Sequence, residues 1–159
     1  MSEPGLTHLD PQGAARMVDV SSKPVTVRVA VAAGMVLLAP TVVIALRSGA
    51  VRKGDALAVA RIAGIQAAKR TGELIPLAHP IAVHSVQLDL DVVDEGVRLR
   101  ATVRTADRTG VEMEALCAVS VAALTIIDMT KALDRTGRIS DVRVVAKSGG
   151  RSGDWAEQP

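Results

Sequence analysis

The sequence predicts an α+β fold of the split βαβ type, an antiparallel sheet with helices packed on one face. Three observations carry this. Residues 25–31 (VTVRVAV) alternate with a period of two, as a half-buried strand does. Residues 84–92 and 97–105 alternate again on either side of Asp94-Glu95-Gly96, the pattern of a β-hairpin. Two stretches of helical character, 55–70 and 110–134, fall on either side of that hairpin, and a last strand over 139–146 follows. The order strand, helix, strand, strand, helix, strand results.

Taken in order, residues 1–16 form a loose arm, 17–155 one domain and 156–159 a tail. MVDVSSK (17–23) reads as a tether to the domain surface, with Asp19 and Lys23 as its polar points. Residues 29–46 carry no charge, which just reaches the length of a membrane candidate. Gly34, Pro40 and Thr41 interrupt the run, so it reads as a buried strand followed by a short helix over 41–46 with Pro40 in its first turn. No membrane partner is expected. Asp55 caps the next helix, whose apolar positions include Leu57, Ile62 and Ile65. Gly64 inside it costs ~1 kcal/mol relative to alanine, a sign of close backbone packing. Lys53, just before this helix, either sits in solvent or meets a phosphate at the helix start. Gly72 and Pro76 end the helix, and His79 is pinned between Pro76 and Pro80, as a structural residue or a ligand contact. In the hairpin, Val97, Leu99, Ala101 and Val103 face inward, and Arg98, Arg100, Thr102 and Arg104 outward.

The stretch GVEMEALCAVSVAALTIIDMTKALD (110–134) organises the chain. Glu112 and Glu114 complement the positive end of a helix. Residues 115–127 carry no charge, so the helix is expected to be apolar nearly all round and buried. Asp128 and Lys131, three apart, share a face. Glu114, Cys117, Val121, Leu124, Asp128 and Lys131 form one stripe at helical spacing. Glu114 and Asp128 are nonetheless ~21 Å apart along a continuous helix. If both belong to one small-molecule site, that site is shared between subunits.

Composition narrows the function classes. At 159 residues, 48% apolar and 23% charged, the chain suits one folded domain. With no Phe or Tyr and one Trp, it lacks the aromatic platforms on which single-stranded nucleic acid stacks, and its net charge of +2 gives no nucleic-acid footprint. One cysteine excludes an internal disulfide and a multi-cysteine metal site, which suits a reducing, cytoplasmic setting. The polar N-terminus does not read as a signal peptide. The segment AKSGGRSGDW (146–155) is either a flexible tail or a loop whose amides cradle an anion. The open sheet face or the helix layer needs cover, and an oligomer supplies it economically.

Three blocks resemble one family. RKGDALAVARIAGIQAAKRTGELIPLAHP, TGVEMEALCAVSVAALTIIDMTKAL and VVAKSGGRSGDW, with MVDVSSK before them, are similar to the MoaC family, the cyclic pyranopterin monophosphate synthases of molybdenum cofactor biosynthesis. The resemblance runs from about Met17 to Trp155. It implies a ferredoxin-like fold and a hexamer, a trimer of dimers with sites at subunit interfaces. It also implies a lyase that converts 3′,8-cyclo-7,8-dihydroguanosine 5′-triphosphate to cyclic pyranopterin monophosphate and diphosphate. By the same resemblance IDMTKAL puts the catalytic aspartate at Asp128 and a lysine at Lys131, and RKGD puts a second lysine at Lys53. PLAHP gives Leu77, Ala78 and His79 as substrate contacts, and VEMEAL gives Met113 and Glu114. Asp19, Lys23, Arg61 and Lys147 match further polar positions. Ala78 stands where cysteine is common, and Arg52 where histidine is common; neither is a residue expected to be catalytic.

The chemistry so implied needs proton transfers and the departure of diphosphate. Lys53 and Lys131 suit proton transfer if subunits bring them together around Asp128. Lys147, Arg151 and the Gly149-Gly150 loop suit the leaving group, because fixed positive charge and amide donors stabilise charge building on its oxygens. No carboxylate cluster indicates a resident metal; a Mg2+ would accompany the triphosphate. The alternative is a non-catalytic nucleotide-binding oligomer on the same scaffold.

Overall fold

In a computed structural model of the chain, the described residues are 12–151 and 153–158. Most of the N-terminal arm, residues 1–11, lies outside them. Five strands form one sheet in the order β2-β3-β1-β4-β5, with every neighbouring pair antiparallel. They are β1 (Thr26–Leu37), β2 (Ser85–Val93), β3 (Gly96–Asp107), β4 (Arg138–Ser148) and β5 (Trp155–Ala156). The first four stand in the split βαβ arrangement, and β5 adds a short edge beside β4. It runs one residue into the stretch read as a tail.

β1 lies at the centre and is longer than the alternating stretch that announced it. Its register with β3 runs from Thr26↔Asp107 to Leu37↔Gly96. Residues 32–34 (AAG) have weak strand propensity, and pairing with strands on both sides overrides it. On its inward face Ala30, Ala32 and Val36 are fully buried. They meet Val97, Leu99, Ala101 and Val103 of β3, also fully buried, as the hairpin alternation predicted.

Between β1 and β2 lie α1 (Pro40–Ser48), α2 (Ala56–Lys69) and the single turn α3 (Thr71–Leu74); α4 (Glu112–Thr130) joins β3 to β4. Pro40 opens α1 and Gly49 closes it in the left-handed conformation, φ 68°. The Asp55 carboxylate accepts the Ala58 N–H at 2.9 Å and caps α2. The uncharged run 29–46 is therefore a buried strand and a short helix. α4 is long and apolar enough to cross a membrane by length and composition, yet here it lies on the sheet beside α2.

α2 and α4 pack antiparallel at close range, and Gly64 is the reason they can. A Cβ there would lie 2.6 Å from Leu88 Cδ2 and 2.7 Å from the Ala118 carbonyl oxygen. Ala56 at the start of α2 meets Met129 at the end of α4. This pairing carries residue 53 to the C-terminal end of α4.

α4 is less enclosed than an all-apolar helix predicts. Ala115, Ala118, Val119, Ala122, Ala123 and Ile126 are fully buried, whereas Leu124 is 58% exposed. The helix sits on the outside of the sheet, so within one chain only its inner face is covered. Ile44, Val59 and Ile62 on the neighbouring helices are also exposed. No helix among the described residues covers the opposite face of the sheet, where Val27 stands half-exposed.

Candidate functional site

α4 carries polar groups at both ends, and each end gathers a different cluster. At the C-terminal end the Asp128 carboxylate is bracketed by two ammonium groups. Lys131 Nζ lies 2.7 Å from Oδ1 and Lys53 Nζ lies 2.8 Å from Oδ2. Lys53 also donates to the Asp128 backbone carbonyl at 2.8 Å. Hydrogen bonds from Lys131 and then Lys53, with their charges, hold the Asp128 carboxyl down from 3.8 to about 2. All three side chains are about half-exposed, so the cluster is open to a ligand.

The sequence expectation needed a neighbouring subunit to bring Lys53 to Asp128. The structure makes the pairing within one chain. Antiparallel packing of α2 on α4 places the loop before α2 against the last turn of α4, a proximity that needs the tertiary fold. A cavity of about 260 Å³ lined by Arg52, Lys53, Met129 and Leu133 adjoins the cluster.

At the N-terminal end of α4 a cavity of about 430 Å³ is lined by Val18, Lys23, Leu77, Ala78, His79, Thr109, Gly110, Glu112, Met113 and Glu114, among others. Most of the residues that the resemblance marks as substrate contacts thus meet in one place. His79 Nε2 donates to the Val18 carbonyl at 2.6 Å, which fixes its tautomer and straps residues 17–20 across the cavity. Burial pushes the Glu114 carboxyl up from 4.5 to about 6; its own backbone amide opposes this and the Glu112 charge adds to it. Glu112 pairs with Lys147 at 3.3 Å. Lys23 offers its backbone carbonyl to Arg108 Nε at 3.0 Å.

Two sequence-predicted residues stand apart. Asp19 is exposed; its carboxylate accepts the Ser21 N–H at 2.8 Å, and that bond lowers its pKa. Arg61, on α2, donates to the Leu88 carbonyl at 3.1 Å and joins neither cluster. The glycine-rich segment is a turn between β4 and β5, and the amide of Gly149 already donates to Asp154 at 3.0 Å. Arg151 is exposed at its tip. Among the described residues no group of three or more His, Cys, Asp or Glu side chains could hold a metal ion.

Sequence reasoning passed over Glu112, Thr109 and Gly110 as site residues. Their position in the TGVEMEAL block, flanking Met113 and Glu114, was the available signal. It also passed over Arg28, which only three-dimensional contacts reveal. The two clusters lie ~21 Å apart, the rise of fourteen residues of continuous α4. No small ligand on one chain spans them.

Comparison with known proteins agrees with the blocks that the site uses. A family model described as the MoaC family matches residues 17–150. The chain is 66% identical over 150 residues to the cyclic pyranopterin monophosphate synthase of Streptomyces coelicolor, covering 94% of this chain and 88% of that one. It is 60% identical over 154 residues to the protein of that name from a Nocardioides species, covering 95% and 94%. With cyclic pyranopterin monophosphate synthase 1 of Mycobacterium tuberculosis it shares 58% over 149 residues, covering 93% and 88%. The chain belongs to the MoaC family.

Proposed function

We propose that this chain is a cyclic pyranopterin monophosphate synthase of molybdenum cofactor biosynthesis. As such it is a lyase that converts 3′,8-cyclo-7,8-dihydroguanosine 5′-triphosphate to cyclic pyranopterin monophosphate and diphosphate. Family membership and the relatives' shared name over most of the chain support the activity. We further propose that the two clusters on α4 are halves of one site, completed by a neighbouring copy. The observation that carries this is their ~21 Å separation along one continuous helix, which puts the lysine–aspartate cluster and the cavity beyond each other's reach within one chain.

In this reading the Lys53–Asp128–Lys131 cluster is the proton-transfer centre. Asp128 stays ionised at working pH and holds both ammonium groups in place beside the open cluster. The cavity at the other end holds the purine-derived ring, with the Leu77-Ala78-His79 segment and Met113 as its walls and Glu114 facing it. A carboxyl with a pKa of about 6 can be acceptor or proton donor to ring nitrogens near neutral pH. Lys147, with Arg151 in the turn that follows it and Lys23 in the cavity lining, supplies positive charge for the departing diphosphate. A Mg2+ ion would enter on the substrate's triphosphate, for which oxygen ligands of the phosphates suffice.

The assembly is a hexamer, a trimer of dimers, in the cytoplasm. Exposed Ile44, Val59, Ile62 and Leu124 on the helix layer supply apolar surface for such contacts. The test is diphosphate release from the cyclised GTP substrate. Asp128→Asn and Lys131→Ala should keep the parent's assembly and lose turnover by ~100-fold or more. Normal turnover in both variants would remove the proton-transfer assignment.

A further inference from the structure

Between the cavity at the start of α4 and the turn that follows β4 lies the half-buried side chain of Arg28, on β1. Its Nε donates to the Asp107 carbonyl at 3.0 Å and its Nη2 donates to the Arg108 carbonyl at 3.1 Å. Those two carbonyls end β3 and begin the short connection through Thr109 and Gly110 into α4. The third nitrogen, Nη1, lies under the β4–β5 turn, where a Cβ on Gly150 would come within 2.1 Å of it. Gly150 is left-handed, φ 75°. Glycine there lets the guanidinium lie flat against the turn.

One planar group therefore touches two separate chain segments, holding the first by two hydrogen bonds and packing against the second. The first carries Glu112 and Glu114, and the second follows directly from Lys147. The Glu112–Lys147 pair spans the gap between them at 3.3 Å. Arg28, Gly110, Glu112, Lys147 and Gly149 enclose a small space of about 80 Å³. Both the Nε and Nη2 donors point at backbone carbonyls, so this edge of the guanidinium is committed to structure. A lysine has no such fork and cannot hold two carbonyls in fixed relation.

We infer that Arg28 is a positioning residue for the proposed reaction, setting Lys147 in register with Glu112 beside the cavity. The inference rests on the reading of Lys147 as a group that stabilises the departing diphosphate. Small displacements of such a group cost rate, with ~1 Å worth up to ~100-fold. Arg28→Lys keeps the charge and loses the fork. It lowers kcat by ~10- to 100-fold while KM changes by less than about threefold. Gly150→Ala pushes the guanidinium away from the turn without altering its charge and has the same phenotype.

The decisive experiment is a double-mutant cycle on diphosphate release, with Arg28→Lys, Lys147→Met and the pair, alongside thermal melting of each. Arg28 acting through Lys147 makes the double variant no slower than Lys147→Met alone. Multiplying losses, or an unchanged kcat in Arg28→Lys, overturns the positioning inference while leaving the site reading standing. A Lys147→Met variant that turns over like the parent overturns the site reading itself. If Arg28→Lys melts early, Gly150→Ala in the same cycle decides, by the same two outcomes.

Discussion

Replacing Glu114 by glutamine tests whether the cavity at the start of α4 is the low-dielectric place that the structure describes. Glu114 is 3% exposed, with the Glu112 carboxylate near it. Its carboxyl is raised from 4.5 to about 6. At ~1.4 kcal/mol for each tenfold change in proton affinity, ionised Glu114 costs the folded protein about 2 kcal/mol. The sign follows from proton counting. Between pH 4.5 and about 6 the folded chain keeps a proton that the unfolded chain has released, so stability from this group falls as pH rises. Below that window nothing is lost, and above it the whole penalty is present. Glutamine has no such penalty. Urea unfolding of parent and Glu114→Gln, at matched protein concentration from ~pH 4 to ~pH 7.5, should show the variant gaining ~2 kcal/mol on the parent across the window. Taking the difference cancels the titrating groups that do not interact with Glu114, leaving Glu114 and its neighbour Glu112. A difference that stays flat with pH would refute the buried, raised carboxyl, and with it the ring-facing role proposed for Glu114.

Other expectations follow from the packing. Gly64→Ala places a methyl 2.7 Å from the Ala118 carbonyl; overpacking of ~1–3 kcal/mol outweighs the ~1 kcal/mol gain in helix propensity. Thermal melting should fall by a few degrees, and a rise would mean that α2 and α4 are not in backbone contact. Ile62→Glu and Leu124→Glu put charge on exposed apolar positions of the helix layer. Analytical ultracentrifugation should show smaller species with unchanged circular dichroism; an unchanged assembly would take those faces out of the interface. For the bracketed carboxylate, Asp128→Asn removes the acceptor shared by Lys53 and Lys131. Diphosphate release should disappear at every pH from ~6 to ~9, whereas a shifted but intact pH profile would make the aspartate a tuning group only.

Much of the fold was legible because its signals are local. The hairpin around Asp94-Glu95-Gly96, the Asp55 cap and the inward row Val97, Leu99, Ala101 and Val103 needed only periodicity and turn chemistry. The second half of β1 was legible only as an uncharged run interrupted at Gly34 and Pro40, without alternation, because Ala33 and Gly34 are held as strand residues by β3 and β4 on either side. α3 escaped for a similar reason. Its Thr71 hydroxyl donates to the Ala67 carbonyl and extends α2 by one further turn past Arg70.

The site divides along the same line. The Asp128–Lys131 pair is an i, i+3 spacing on one helix and can be read from sequence. Lys53 on Asp128 bridges 75 positions and depends on the antiparallel packing of α2, which no spacing encodes. The family blocks assigned Lys53 a role without saying which chain it serves. Arg28 lies in no block, and its grip on two carbonyls 79 and 80 residues away is visible only in three dimensions.

The shared site can be tested most directly by mixing two inactive variants. Asp128→Asn spoils one end of α4 and Glu114→Ala the other. Co-refolded in equal amounts, the two should regain diphosphate release, to about a quarter of the parent's sites if partners assort at random across a two-copy site. Mixtures as inactive as the separate variants, with mixed oligomers verified by mass spectrometry, would contradict a site built from the opposite ends of two α4 helices.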